Sequence, residues 1–275
     1  MSITAAMVKE LRAQSGAGIM DAKNALKETN GDIEAAIDWL RSKGKAKAAK
    51  KSSRSAADGL VGVYVEGSTG VIVEVNSETD FVAKNIEFRK LVDLVRRTAL
   101  ESNSLDELLA AKPTGKELAE EVTDKITTLG ENLSVSRLEK LSGMNIASYV
   151  HTSVEDGMGK IAVLVSYDGP QTELGKQVAM HVAATNPVAL SEAEVAPDTL
   201  RREKQILRQK ALDAGKPEGI VQKIVEGGIR KYLAEETLVN QKFVINPEHT
   251  VQSACQAEEI TLTGYIRVKV GESSS

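Results

Sequence analysis

Apolar residues recur along the chain at two spacings, one typical of helices and one typical of strands. The first strand-like pattern covers residues 59–74, where β-branched residues alternate with others and residues 66–70 supply a glycine-containing turn. This pattern predicts a hairpin in which Leu60–Val65 pairs with Val71–Val75. After a polar connection, apolar residues return at helical spacing from Ile86 onward.

The same order of strand, glycine turn, strand, connection and helix recurs later, which predicts a duplicated core. Two further stretches alternate well enough to be additional strands. The second copy is predicted as a hairpin of Ile146–Thr152 with Ile161–Tyr167, turned at Glu155–Gly159, followed by a helix at Thr172–Ala184. The additional strands are predicted at Leu133–Leu141 and Thr261–Val270.

Helical spacing dominates the start of the chain and predicts a compact bundle that resembles ubiquitin-associated domains. Its three helices are predicted from Thr4 to Gln14, from Ile19 to Thr29 and from Ile33 to Lys43. A unit of this size buries little core, so Ile19 and Met20, which follow its glycine turn, are candidates for a contact surface. Packing in the core is the alternative for both residues.

A second helical stretch, from Pro197 to Glu236, predicts two arms joined at Ala214–Pro217. Each arm has one apolar stripe, which favours a short antiparallel coiled coil. Packing of one arm on the other is the simpler interpretation, and self-association through the hairpin is the alternative.

Together these patterns predict an α+β protein: a three-helix bundle, a duplicated α/β core with antiparallel sheets, and an inserted coiled-coil hairpin. The predicted units are the bundle at residues 1–44, a basic linker at 45–57, a first core half at 58–142, a second core half at 143–196 and 237–275, and the hairpin at 197–236.

The linker carries a concentration of positive charge. A solvated segment, partly helical through its alanines, is the favoured interpretation, and phosphate binding on RNA is the alternative. The basic residues are Lys43, Lys45, Lys47, Lys50, Lys51 and Arg54.

Composition narrows the function classes. The 275 residues carry a formal charge of −4 and only 3% aromatic residues, so neither general attraction to nucleic acid nor base stacking is expected. The single cysteine, Cys255, fits a reducing compartment. The sequence shows neither a secretion signal nor a stretch of ~18 apolar residues that could span a membrane. These features predict a cytoplasmic globular protein without a direct nucleic-acid or membrane partner.

Residue patterns typical of enzymes and cofactor sites are missing from the sequence. There is no Cys/His spacing for zinc and no phosphate-binding glycine loop with its Lys-Ser/Thr. The histidines, His151, His181 and His249, fall in different predicted elements. We therefore expect no catalytic residue, metal site or cofactor.

Phe81 stands out in the polar connection after the first hairpin, because the chain has only three phenylalanines. It could pack beneath the following helix as a staple, with Asp80 as a local turn or cap residue. Alternatively, Phe81 is a wedge presented to another molecule, with Asp80 beside it to perturb a charge. The second copy has Asp168-Gly169-Pro170 at the corresponding place, which favours the wedge.

Two long contiguous motifs resemble the signatures of bacterial elongation factor Ts. They are Leu11-Arg-Ala-Gln-Ser-Gly-Ala-Gly-Ile-Met-Asp-Ala-Lys-Asn-Ala-Leu26 and Glu74-Val-Asn-Ser-Glu-Thr-Asp-Phe-Val-Ala-Lys84. The predicted order of units is also similar to that family over essentially the whole chain. The resemblance implies a guanine nucleotide exchange factor for the GTPase elongation factor Tu, with no covalent catalysis.

The resemblance also implies which residues act. In the family, a loop matching Thr79, Asp80, Phe81 and Val82 enters the GTPase beside the nucleotide and displaces its magnesium, which allows GTP to replace GDP. Six residues match positions at which members of the family contact the GTPase: Arg12, Ile19, Met20, Lys23, His151 and His181. Ile19 stands where some members have Met, which keeps an apolar contact. A weak homodimer of such complexes is also implied.

Two rival functions differ in what they require. An RNA-binding protein would use the basic linker and show a steep salt dependence of RNA affinity. A ubiquitin-type adaptor would bind its partner through the N-terminal bundle alone, without the residues beyond Ser55.

Overall fold

The chain begins with three helices, α1 (Ala5–Ser15), α2 (Ile19–Glu28) and α3 (Ile33–Lys51), in a computed structural model that describes residues 3–272. Thr4 caps α1 by accepting a hydrogen bond from the amide of Met7, and Asp32 caps α3 through the amide of Ala35. The helices enclose a small core built largely from alanines: Leu11, Ala22, Ala25, Leu26 and Ala36. The likeness of this bundle to ubiquitin-associated domains stays a prediction. Residues 1–2 and 273–275, at the ends of the first and last predicted units, lie outside the described part.

The first core half is a sheet covered by helices on one face. Its elements are β1 (Asp58–Glu66), β2 (Thr69–Ser77), α4 (Asp80–Ala83), α5 (Ile86–Thr98), α6 (Leu105–Ala110), α7 (Leu118–Leu129) and β3 (Leu133–Ser142). The predicted hairpin is confirmed, since Leu60 pairs with Val75 and Val63 with Ile72. Helices α6 and α7 were not predicted, although Leu118, Val122 and Ile126 form a buried stripe at helical spacing.

Helix α3 continues beyond its predicted end at Lys43 to Lys51, which confirms that the segment predicted as a linker is partly helical. Gly44 and Ala48 are buried on its inner side, and a Cβ added to Gly44 would lie 3.0 Å from the Thr127 Oγ1 atom of α7. Arg41 and Lys45 both form ion pairs with Glu120 of α7. The alanines and lysines favour a helix here, and α7 covers one of its faces. The bundle is therefore joined to the core by direct helix packing.

The second core half repeats the arrangement with an insertion. Its elements are β4 (Asn145–His151), β5 (Met158–Gly159), β6 (Ile161–Asp168), α8 (Leu174–Thr185), α9 (Pro197–Asp213), α10 (Glu218–Glu236), α11 (Val251–Ala257) and β7 (Thr261–Lys269). Helix α11 was not predicted. The predicted second hairpin is confirmed, since β4 pairs with β6 along its length. The last two residues of its predicted turn, Met158 and Gly159, also form β5, an edge strand that pairs with β1 of the first sheet.

The two sheets pack face to face and are closed by helices on their outer sides. Strand order is β3-β2-β1-β5 in one sheet and β4-β6-β7 in the other. Apolar residues of both sheets meet in a shared layer that contains Val61, Ile72, Ala162, Leu164 and Val268. This layer fixes the two halves against each other, so that loops at the ends of both sheets are held by one common core.

Helices α9 and α10 form a helical hairpin across the turn at residues 214–217. Ala211 and Val221 are buried between the arms, while Ile206, Leu212 and Ile220 stay partly exposed. Packing of one arm on the other therefore accounts for the buried positions, and the coiled-coil geometry and the homodimer stay predictions. Among residues 3–272, none of the helices is long and apolar enough to cross a membrane.

Candidate partner-binding site

Phe81 projects into solvent from the single helical turn α4, which connects β2 to α5. Its side chain is 80% exposed, the most of any large apolar side chain in the described residues. The next two residues, Val82 and Ala83, are buried in the core of the first half. The staple interpretation of Phe81 is therefore wrong, because Val82 occupies the buried position. We call residues 77–84 the Phe81 segment.

The carboxylate of Glu131 holds the start of this segment. The Thr79 amide donates a hydrogen bond of 3.0 Å to one Glu131 oxygen, and the Thr79 hydroxyl donates one of 2.6 Å to the other. Thr79 occupies the N-cap position of α4 but makes no capping bond to it, because its hydroxyl is directed to Glu131. Sequence analysis missed Glu131, which lies 52 positions from Thr79.

A second carboxylate, that of Glu78, accepts a hydrogen bond in the opposite direction, from the segment that contains Glu131. Glu78 accepts a hydrogen bond of 2.6 Å from the amide of Asn132, and it pairs with Arg54 at 3.4 Å. The Asn132 side chain in turn donates to the Arg54 carbonyl at 2.8 Å. Residues 78–79 and 131–132 therefore bind each other in both directions, which fixes the base of the Phe81 segment.

Asp80 is engaged by Lys84 at the outer side of the same turn. The Lys84 ammonium lies 2.8 Å from an Asp80 carboxylate oxygen and 5.9 Å from the centre of the Phe81 ring. Hydrogen bonding to Asp80 raises the pKa of Lys84. Both side chains are exposed, so the pair contributes little to stability.

The strand that leads into the segment is anchored by a buried carboxylate. Glu74 accepts hydrogen bonds of 2.8 Å from the Asn76 side chain and from the Gly271 amide, and Arg137 lies 3.6 Å away. These bonds tie the end of the described chain to β2. Glu74, the first residue of the second family motif, therefore has a structural role.

A second exposed apolar site lies on the N-terminal bundle. Ile19 is 58% and Met20 66% exposed on the first turn of α2, which excludes the core-packing alternative for both. Arg12 donates a hydrogen bond of 3.1 Å to the Ala17 carbonyl across the glycine turn. Lys23 is exposed one helical turn beyond Ile19. We call Arg12, Ile19, Met20 and Lys23 the bundle patch.

The two histidines expected at the partner interface lie in different environments. His151 is exposed at the end of β4, where its Nδ1 atom lies 3.1 Å from the Tyr149 hydroxyl. His181 is fully buried in α8 and bonds to Gln241 through Nε2, while its Nδ1 atom accepts from the Val244 amide. Direct contact between His181 and a partner does not fit this placement, because the protein's own interior covers the ring.

What His181 supports is the loop after Gln241, which exposes Val244 and Ile245. Sequence analysis missed this pair, which belongs to a run of three apolar residues between Lys242 and Asn246 whose first member, Phe243, is buried. Burial lowers the pKa of His181, which favours the neutral ring. The Val244 amide donates to Nδ1 and the Gln241 side-chain carbonyl oxygen faces Nε2, so these bonds assign the ring proton to Nε2. Burial also raises the pKa of Cys255 to about 11, which leaves its thiol protonated.

Ion pairs engage three of the six basic residues named for the predicted linker. Lys45 pairs with Glu120 at 3.2 Å, Lys47 with Asp21 of α2 at 3.0 Å, and Arg54 with Glu78 at 3.4 Å. These contacts join the bundle, α3 and α7, so they favour a structural role for the segment over RNA binding.

Comparison with known proteins relates the chain to one family. Residues 78–272 match the family described as Elongation factor TS, and the match begins at the Phe81 segment. Proteins named Elongation factor Ts from a Ruegeria species and from Ruegeria pomeroyi are each 56% identical over 99% of this chain and 94% of their own length. The protein of that name from Paracoccus denitrificans is 54% identical over 99% of this chain and 93% of its own.

These matches first define a class, the elongation factors of protein biosynthesis. Within that class, the chain belongs to the elongation factor Ts family.

Proposed function

We propose that this chain is a guanine nucleotide exchange factor that binds the GDP complex of elongation factor Tu in the cytoplasm and accelerates GDP release. The observation that carries the proposal is the exposure of Phe81 on a helical turn whose base is fixed to the core. Exposing a phenylalanine is unfavourable in water, and holding it in one orientation suits insertion into another protein.

The proposed mechanism needs no covalent step. Bound GDP owes much of its affinity to a magnesium ion and to the backbone around its phosphates. Thr79, Asp80, Phe81 and Val82 form the turn that would enter beside the nucleotide, with Phe81 displacing partner groups and Asp80 altering the field at the magnesium. Because the coupling is reciprocal, bound nucleotide lowers the affinity of the GTPase for the exchange factor as much as the factor lowers its affinity for nucleotide.

The remaining contacts supply affinity. The bundle patch offers two exposed apolar side chains flanked by two cations, which suits a mixed apolar and acidic surface on the same GTPase domain. His151 and the exposed Val244–Ile245 pair belong to the second core half, where we place contacts with another domain of the partner.

The direct test uses a complex of elongation factor Tu with a fluorescent GDP analogue and excess unlabelled GDP. We expect the chain to raise the rate of GDP release in a saturable manner. Chelation of magnesium should reduce the factor by which the chain accelerates release. A release rate that is independent of added protein would contradict the proposal.

A further inference from the structure

A one-turn helix cannot hold Phe81 in place by its own hydrogen bonds. Helix α4 has four residues, far fewer than the ~12–15 that an isolated helix needs for marginal stability. Its inner residues, Val82 and Ala83, anchor one side of the turn. The other side, at the entry from β2, has no apolar anchor and depends on polar bonds.

Among the polar bonds at the entry, both donors of Thr79 converge on one side chain. Glu131 receives both donors of Thr79, its amide at 3.0 Å and its hydroxyl at 2.6 Å. Bonds to an ionised carboxylate are roughly twice as strong as bonds between neutral groups. Both bonds are partly buried, so water competes with them less than it would at the surface.

Glu131 is itself held firmly in its own segment. It follows Gly130, which ends α7 in the left-handed conformation with φ of 83°, and it precedes β3. The next residue, Asn132, is buried and donates its amide to Glu78. The carboxylate is therefore presented from the sheet and α7, and it can act as a fixed reference for the turn that carries Phe81.

We propose that Glu131 is the positioning residue of exchange: it fixes Thr79 so that the free protein already holds Phe81 in the orientation that the GTPase receives. This inference rests on the proposed function. Without the carboxylate, the turn samples several orientations, and part of the binding free energy is used to order it. This ordering free energy is required at the step in which Phe81 enters the nucleotide site, so that step becomes slower.

The test compares Glu131→Ala and Glu131→Gln with a matched control, Glu121→Ala. Glu121 also accepts a hydrogen bond from a threonine hydroxyl, that of Thr114 at 2.5 Å, but it lies at the other end of α7. Two quantities are measured for each protein: amide hydrogen exchange of residues 77–84 in the free protein, and GDP release from the GTPase complex over a range of protein concentrations.

For Glu131→Ala we expect faster amide exchange at residues 79–83 and a maximal release rate lowered at least about tenfold, because two hydrogen bonds to a charged group are lost. The concentration for half-maximal release should change less. Glu131→Gln, which keeps one acceptor, should fall between Glu131→Ala and the unmodified protein, and Glu121→Ala should match the unmodified protein in both measurements.

Thr79→Val adds a test that does not depend on the stability of Glu131→Ala. It removes the hydroxyl donor, and its effect combined with Glu131→Gln should be less than additive, because both changes break the same contact. Unchanged amide hydrogen exchange in the Glu131 variants would overturn the proposal. Faster amide hydrogen exchange with a normal maximal rate of GDP release would also overturn it. If the unmodified protein itself does not accelerate release, the proposed function fails, and the role of Glu131 in release fails with it.

Discussion

Phe81 and Val82 are consecutive residues of α4 that face opposite environments: the Phe81 side chain is 80% exposed and the Val82 residue 9%. The turn thus divides its two large apolar residues between solvent and core. Neighbouring helical residues point about 100° apart, so that Val82 and Ala83 can face the core while Phe81 faces solvent. The larger residue is the exposed one, which is the reverse of what packing alone would favour.

This division predicts that truncating Val82 destabilises the protein and that truncating Phe81 does not. Val82→Ala removes two buried methyl groups and should lower the free energy of unfolding by about 1–3 kcal/mol. Phe81→Ala removes a much larger side chain but no buried contact, and should change it by less than about 0.5 kcal/mol. Urea unfolding of both variants checks this, and a larger loss for Phe81→Ala would contradict the placement of the ring.

The bundle patch should contribute affinity rather than stability. Ile19→Ser and Met20→Ser each remove an exposed apolar group, so the melting temperature should stay constant while binding to the GTPase weakens by about 1–3 kcal/mol. Calorimetric titration measures the loss, with Glu28→Ser at the end of α2 as the exposed control. Full affinity in both patch variants would place the interface elsewhere.

The close approach of α3 to α7 should depend on Gly44 and Thr127 as a pair. Gly44→Ala gains up to about 1 kcal/mol of helix propensity but brings a Cβ to 3.0 Å from the Thr127 hydroxyl. We expect it to be neutral or destabilising in the natural chain and stabilising in a Thr127→Ala background. A double-mutant cycle measures this coupling, and additive effects would show that the two helices do not press on each other at Gly44.

His181 should make stability depend on pH. Its pKa in the folded protein is lowered from the ordinary value near 6.5, so below that pH the unfolded chain binds more protons than the folded one. The free energy of unfolding should therefore fall as the pH drops below 6.5, with a slope of at most about 1.4 kcal/mol per pH unit from this residue.

Two variants isolate this contribution. His181→Asn should flatten the part of the slope between the unfolded and folded pKa values, at the cost of lower stability at neutral pH. His151→Gln replaces an exposed histidine and is the matched control in which His181 is intact. An identical pH dependence in His181→Asn and the natural chain would show that His181 is not the group that titrates.

Local patterns predicted much of the fold. The hairpin of β1 and β2 was legible because strand alternation and a glycine turn act within about twenty residues. The stripe of Leu118, Val122 and Ile126 was equally local and was overlooked. The extension of α3 to Lys51 was harder to predict, because it depends on the contact of Gly44 with a helix some eighty positions further on.

The candidate site shows the same limit more sharply. Phe81 was conspicuous as a large apolar residue in a polar connection, and its motif carried the family resemblance. Glu131 carried no signal of its own, since a carboxylate after a helix-ending glycine is ordinary until Thr79 is placed beside it. His181 was misjudged because a histidine on a helix can face a partner or the interior, and only packing decides which.

The most direct test of the wedge is GDP release at saturating concentrations of the Phe81→Ala protein, measured beside Val82→Ala and the natural chain. Our account predicts that Phe81→Ala binds the GTPase only about 1–3 kcal/mol more weakly, yet at saturation releases GDP at least about tenfold more slowly, with its melting temperature unchanged. Val82→Ala should melt earlier but release GDP faster than Phe81→Ala does. Normal release by Phe81→Ala at saturation, together with a marked drop in its melting temperature, would contradict the account.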